Sequence, residues 1–407
     1  MNPSDRLPVS LADVEAARAL IRDVVRYTPM EGSRPLSERS GGQVSLKCEN
    51  LQRAGSFKIR GAYTRLSRLT DEEKARGVVA ASAGNHAQGV ALAAQMLGIS
   101  ATVFMPEGAA LPKVEATKGY GASVAFSGAT LGDAIATAQE YAASEGAVLI
   151  HPFDHVDIVA GQGTVGLEIL EQRPDVRTVV VCTGGGGLLA GIATAVKGRH
   201  PDVRVVGVQA ERAAAYPPSL AAHEPLTLAT MSTMADGIAV PRPGDIPFAI
   251  VERLVDDVVT VTEDALSRAI LLLLERAKLV VEPAGAAAVA AILDDPARFE
   301  PPVVAVVSGG NVDPLLMLRV LRHGMAAAGR YLSLSVRVPD IPGNLAQLLA
   351  LVGGANANVV DVEHLRTHPQ LRVDEVEIAL QLETRGPTHA AHVLQAIRDG
   401  GFRLSLE

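Results

Sequence analysis

Short apolar runs alternate with helical stretches along most of this chain. Strand-like runs rich in Val and Ala occur at 78–81, 101–105, 147–150, 178–182, 203–208 and 303–307. Between them lie Ala-rich or amphipathic stretches at 87–97, 131–144, 188–197 and 264–278. A run that is apolar at consecutive positions must be covered on both faces. Such runs separated by helices therefore predict parallel strands inside helical layers. This is an α/β pattern, and it extends to about residue 327.

Beyond residue 330 the pattern changes. Leu332, Leu334, Val336 and Val338 alternate with Ser333, Ser335 and Arg337, as in a half-buried strand. The segment Pro339-Asp340-Ile341-Pro342-Gly343-Asn344 cannot continue that strand. A helix at 345–352, strands at 357–362 and 373–382, a helix at 388–398 and an alternating strand at 402–406 follow. The order strand-helix-strand-strand-helix-strand is the split βαβ, ferredoxin-like arrangement. Two domains are expected, 1–327 and 330–407, with the boundary near Gly329-Arg330 and no long linker.

Composition narrows what such a chain does. Apolar residues make up 48% and charged residues 20% of 407 positions, so the chain has ample material for a packed core. Aromatics are only 3%, without a single Trp, and 37 Lys and Arg face 45 Asp and Glu. A nucleic-acid partner is not expected, because base stacking needs rings and phosphates need excess positive charge. Two cysteines provide neither a disulfide framework nor a zinc site. Cys48 and Cys182 read as small buried residues. Residues 1–13, with Asp5, Arg6 and Pro8, lack a signal core, and no run is long enough to span a bilayer. A cytoplasmic protein in a reducing compartment is expected.

Candidate chemistry lies in four segments. Gly184-Gly185-Gly186-Gly187-Leu188 follows the strand at 178–182 and opens a helix, so backbone N–H groups can converge on an anion. Leu189 stands where a dinucleotide fingerprint needs Gly or Ala, and no Lys-Ser/Thr follows. The phosphate of a non-nucleotide cofactor fits this turn; so does tight packing alone. Lys58, between Phe57 and Ile59, stands at the start of a helix over 61–69. A helix N-terminus disfavours a cation, which would lower the amine pKa. Ser82-Ala83-Gly84-Asn85-His86 follows the strand at 78–81, where capping by Ser82 or Asn85 is the plainer reading. Ser308-Gly309-Gly310-Asn311 follows the strand at 303–307, either as a binding loop or as an ordinary turn.

In this order and spacing the four segments resemble the pyridoxal-phosphate enzymes of the tryptophan-synthase β-subunit fold, and among them the threonine ammonia-lyase (threonine dehydratase) branch. The resemblance covers residues 1–327 and implies a two-lobed catalytic domain with parallel-sheet lobes. It implies that Lys58 in Ser-Phe-Lys-x-Arg-Gly carries pyridoxal 5'-phosphate, with Phe57 beside it. By the same resemblance Asn85 bonds the cofactor 3'-oxygen, Gly184 to Leu188 cradle the phosphate, Ser308 meets the pyridine nitrogen, and Glu282 is a cofactor-proximal acid. For Glu282 a surface position before Pro283 is the alternative. Ser82, Ala83, Gly84, His86 and Phe153 are the implied substrate-binding residues. A hydroxyl partner does not hold the ring nitrogen protonated as a carboxylate would, which favours β-elimination or β-replacement over transamination.

Single positions discriminate within the family. Cysteine synthases carry Thr where this chain has His86. Serine racemases usually carry Ser at the place of Ala83, as a second base on the far face, and tend to have Asn at the place of Phe153. Their divalent-cation carboxylates are half matched, by Glu211 but not by Tyr216-Pro217, so no metal is expected. The implied reaction turns L-threonine into 2-oxobutanoate and ammonia, with L-serine as a secondary substrate. The alternatives are a serine dehydratase or racemase of the same fold, or a non-catalytic amino-acid-binding protein.

Residues 330–407 resemble an ACT domain through Asp340-Ile341-Pro342-Gly343-Asn344-Leu345, with a weaker match at Asn356-Ala357-Asn358-Val359. Asp340, Ile341, Gly343, Asn344, Leu345 and Asn358 are the implied effector-binding residues. Isoleucine or valine is the implied effector, since threonine deamination opens the isoleucine pathway. ACT modules usually pair, so a homo-oligomer, dimer or tetramer, is expected; a ferredoxin-like module used only for subunit contacts is the alternative.

Overall fold

In the computed structural model, which describes residues 7–366 and 371–406, the apolar runs assemble into two sheets, followed by a third in the tail. Asp5 and Arg6 lie outside the described residues. The larger sheet runs in the order Met30–Gly32, Val44–Cys48, Val303–Val307, Thr178–Cys182, Arg204–Ala210, Asp257–Val261. Every neighbour pair in it is parallel except the first. The smaller sheet runs Ser123–Phe126, Ala101–Met105, Val78–Ala81, Val148–Leu149 and is parallel throughout. Thr178–Cys182 and Val303–Val307 are buried at every position, which is why neither alternates in sequence.

Four strands lie outside the pattern read from sequence: Met30–Gly32, Val44–Cys48, Ser123–Phe126 and Asp257–Val261. Val44–Cys48 is hidden because it contains a polar Ser45 and a charged Lys47, yet all five positions are buried. A closed ionic cluster accounts for Lys47. Its Nζ donates to Glu168 Oε2 at 2.6 Å, and Arg60 Nη1 donates to Glu168 Oε1 at 2.6 Å. Arg60 also grips both oxygens of Glu49, at 2.8 and 2.7 Å. The cluster ties that strand to the helices Lys58–Ser67 and Val156–Gln172. The latter helix also crosses Gly187–Arg199 closely. A Cβ on Gly191 would lie 2.4 Å from Val159 O, and one on Gly161 2.6 Å from Arg60 O. The two helices that open at the candidate lysine and at the glycine turn are thus both seated on Val156–Gln172.

The helix expected over 264–278 is interrupted. An α-helix, Glu263–Leu272, gives way to a π-turn, Leu273–Ala277, and stops at Lys278, whose φ is +61°. The chain divides into two units, Met1–Met317 and Leu318–Glu407, the division falling inside the helix Pro314–Ala327 rather than after it. In the second unit an antiparallel sheet runs Asn358–Leu365, Glu375–Glu383, Tyr331–Pro339, Arg403–Leu406, with helices Asn344–Gly354 and Pro387–Asp399. This is the ferredoxin-like order. Leu334, Val336 and Val338 meet Ile378, Leu380, Val393 and Ile397 in its core. Among the described residues no helix is long and apolar enough to cross a membrane.

Candidate active site

The carboxyl ends of strands from both sheets of the first unit open onto one cavity of about 440 Å³. Val78–Ala81 delivers Ser82 to His86 to it, Thr178–Cys182 delivers Thr183 and the four glycines, and Val303–Val307 delivers Ser308. An open parallel sheet places ligands at such ends.

Lys58 lines this cavity as the first residue of the helix Lys58–Ser67, three positions earlier than the pattern predicts. Its Nζ donates to Pro152 O at 2.9 Å and stands 5.1 Å from the centre of the Phe57 ring. Burial lowers the amine pKa to about 8, against the opposing pull of Cys182 and Glu282. Desolvation is the largest cause of the shift, on a residue that also opens its helix.

Gly186, with φ +100°, precedes the helix Gly187–Arg199. Only glycine fits the turn. A Cβ on Gly185 would lie 2.4 Å from the Phe153 ring, one on Gly186 1.8 Å from the Tyr216 hydroxyl, and one on Gly184 2.9 Å from Ile238 Cα. Leu188 is buried behind it. Beside the turn, Thr183 Oγ1 is buried without a hydrogen-bond partner.

Neither Ser82 nor Asn85 caps the helix Asn85–Leu97: Gly84 holds the N-cap position and no side chain bonds there. Ser82 Oγ instead accepts from Gly84 N at 3.1 Å. Asn85 Nδ2 donates to Glu282 Oε1 at 2.6 Å, and Asn85 Oδ1 accepts from Asn311 Nδ2 at 2.8 Å. Glu282 is 3% exposed, so the surface reading fails; burial, with Asp236 adding to it, raises its carboxyl pKa to about 7. His86 Nε2 pairs with Ile150 O at 2.8 Å, and burial next to Lys58 lowers its pKa to about 3, leaving a neutral ring. Ala83 and Phe153 also line the cavity, the Phe153 ring standing edge-on to His151 at 4.6 Å.

Ser308 is buried, and its Oγ accepts from Cys182 Sγ at 3.2 Å. Cys182 therefore lines the site as well as filling a strand, which its bland sequence context does not signal; Cys48 is buried in its own strand. Thr183 also goes unmarked in sequence, where Asn311 figures only as the end of a turn motif and Tyr216 only as a mismatch to a cation site. Tyr216 is fully buried and reaches Gly185 O at 3.4 Å, while Glu211 is exposed at the start of the turn Glu211–Ala213.

These groups suit pyridoxal phosphate. A buried amine of low pKa faces a glycine turn that any side chain would fill, with an unpartnered threonine hydroxyl beside it and a buried serine hydroxyl in the same cavity.

In the second unit Gly343, φ +100°, precedes the helix Asn344–Gly354, and among the described residues no atom beyond its chain neighbours lies within 4 Å of where its Cβ would be. Asp340 pairs with Arg366 at 3.1 Å, and Ile341 is exposed. Asn344 Nδ2 donates to Pro339 O at 2.9 Å, and Leu345 packs against the core. Asn358 opens its strand, donating to Glu383 Oε2 at 3.4 Å.

Residues 21–309 match the family "Pyridoxal-phosphate dependent enzyme". The L-threonine ammonia-lyase of Thermotoga maritima is 43% identical over 98% of this chain and 99% of its own. The solved processed form of threonine deaminase isoform 2 from Solanum lycopersicum superposes with a TM-score of 0.74 at 37% identity, over 77% of this chain and 92% of that one. Maize serine racemase superposes with a TM-score of 0.73 at 37% identity, over 76% and 96%.

Proposed function

The chain belongs to the pyridoxal-phosphate dependent enzymes, and from that membership we propose that it is an L-threonine ammonia-lyase, releasing 2-oxobutanoate and ammonia. The buried amine of Lys58, facing the glycine turn across the cavity, carries this reading, together with the full-length likeness to the Thermotoga maritima lyase. Lys58 would hold the cofactor, Gly184 to Leu188 its phosphate, Asn85 its 3'-oxygen and Ser308 its ring nitrogen, with Phe57 and Glu282 alongside. When bound, pyridoxal phosphate supplies the electron sink that lets a Cα–H bond ionise and a β-hydroxyl depart.

The chain's own residues select among the reactions this permits. Near neutral pH a fraction of the Lys58 amine is unprotonated, as a base at the substrate Cα must be. Ser308 offers a neutral hydroxyl, so nothing at that position holds the ring nitrogen charged. Ser82, Gly84, neutral His86 and Phe153 line the cavity and would bind the amino acid there. Ala83 presents a methyl group where a second acid on the opposite face would have to stand. Elimination is therefore favoured over racemisation, and the racemase likeness is the second reading. L-Serine would be a secondary substrate, since one methyl group is worth about 1–3 kcal/mol of discrimination.

We further propose that residues 330–407 act as an ACT regulatory module that takes isoleucine or valine at Asp340, Ile341, Gly343, Asn344, Leu345 and Asn358, and that the enzyme is a homo-oligomer, dimer or tetramer. The open space over Gly343 at a helix N-terminus supports this, because the free N–H groups there suit a carboxylate. The decisive experiment is Lys58→Ala, assayed for 2-oxobutanoate from L-threonine, pyruvate from L-serine and D-serine formation, with absorbance read alongside. Loss of the visible cofactor band and of all turnover is expected; an active variant would overturn the assignment.

A further inference from the structure

Two segments, the turn Arg53–Gly55 and the helix Asn85–Leu97, converge on the side chain of Asn311. Its Nδ2 donates to Ala54 O at 2.7 Å, to Asn85 Oδ1 at 2.8 Å, and stands 3.2 Å from Gln88 Oε1. Gly55 has φ +68°, and a Cβ there would strike Asn311 Oδ1 at 2.3 Å, so the amide lies flat against the backbone. The orientation of this amide is settled by chemistry. Ala54 O is a carbonyl and can only accept, so the group facing it must be the Asn311 NH₂. That NH₂ in turn requires an acceptor from Asn85, which fixes Oδ1 on that side. At the other end of Asn85 stands Glu282, whose buried carboxylate oxygen accepts from Nδ2 at 2.6 Å. Asn311 thus fixes the Asn85 amide from one end; from the other, Glu282 reinforces the same orientation only when ionised, since its protonated form can donate as well as accept. One hydrogen of Asn85 Nδ2 is left without a protein partner, on a residue that lines the cavity.

We propose that Asn311 is a positioning residue, which locks the Asn85 amide so that the cavity meets an N–H donor and never the amide oxygen. The inference rests on the pyridoxal-phosphate reading above. An N–H donor stabilises an ionised 3'-oxygen on the cofactor, whereas an amide oxygen in its place would repel it and favour the un-ionised form. Asn311 is not among the residues that line the cavity, whereas Asn85 is; it acts through Asn85.

Asn311→Asp tests this with little change of shape. The new carboxylate oxygen would face three acceptors, Ala54 O, Asn85 Oδ1 and Gln88 Oε1; the backbone carbonyl is fixed, whereas the Asn85 amide can turn over to offer Nδ2 in place of Oδ1. The measurement is the absorbance of the lysine-bound cofactor at fixed pH in the full chain loaded with pyridoxal phosphate. The visible band reports the ionised 3'-oxygen and the near-ultraviolet band the un-ionised form. Loss of one hydrogen bond to a charged oxygen should shift the ratio of the two forms about tenfold toward the near-ultraviolet band. A role in packing alone would lower stability but leave that ratio unchanged. An unchanged ratio in the folded, loaded variant overturns the proposal. Should Asn311→Asp fail to fold, Asn311→Ala is read by the same criterion below about pH 7, where Glu282 is protonated and Asn85 is free to take either orientation. A parent protein that shows no cofactor band at all would instead sink the cofactor reading, so the two failures are distinct.

Discussion

Lys58 and Glu282 share one cavity and are displaced in opposite directions by the same cause. Burial disfavours the charged form of each, so the amine falls to about 8 and the acid rises to about 7. Each shift gives a prediction. The rate at which apoprotein takes up pyridoxal phosphate should climb with pH and level off above about 8, because only the neutral amine attacks an aldehyde; stopped-flow absorbance across pH measures it. For Glu282, between pH 4.5 and about 7 the folded carboxyl keeps a proton that the unfolded one has lost, so raising pH through that window destabilises the fold. Glu282→Gln removes the penalty. Thermal melts of the two apoproteins should diverge as pH rises from about 5 to about 8, the variant gaining by up to about 3 kcal/mol. Lys58, Asn85 and Ser308 were legible in sequence because each follows a recognisable apolar strand or motif. Asn311, Cys182 and Thr183 were less so, since their roles come from neighbours supplied by distant segments.

At the scale of elements, glycine sets how closely the helices beneath the site approach. Gly191→Ala would place a methyl 2.4 Å from Val159 O, backbone that cannot yield as a flexible side chain does. A loss of about 1–3 kcal/mol in urea unfolding is expected, with weakened cofactor affinity because the helix Gly187–Arg199 carries the glycine turn. Arg60 is the other control point. Arg60→Met would leave Glu49 and Glu168 buried with too little positive charge between them, at a cost of about 3–5 kcal/mol by the same measurement. The sequence pattern placed the buried central strands closely, since full burial writes a continuous apolar run. It missed Val44–Cys48, because the carboxylate that allows Lys47 to be buried, Glu168, lies 121 residues away.

For the whole molecule, the proposed division of labour predicts that isoleucine changes threonine kinetics in the intact chain. Gly343→Val should weaken that response while leaving turnover without effector close to parental; titration of initial rates with isoleucine checks both. The β-branched side chain disfavours the positive φ that this turn requires. The sequence by itself determined the α/β body, the ferredoxin-like tail and the four segments that meet in the site. Those are local properties, written in periodicity and in the residue types that turns demand. Only the tertiary structure decided that burial depresses the Lys58 amine. It likewise decided that Glu282 is internal and that Asn311 orients Asn85. Desolvation and hydrogen-bond direction depend on groups brought together by folding, and no window of sequence contains them.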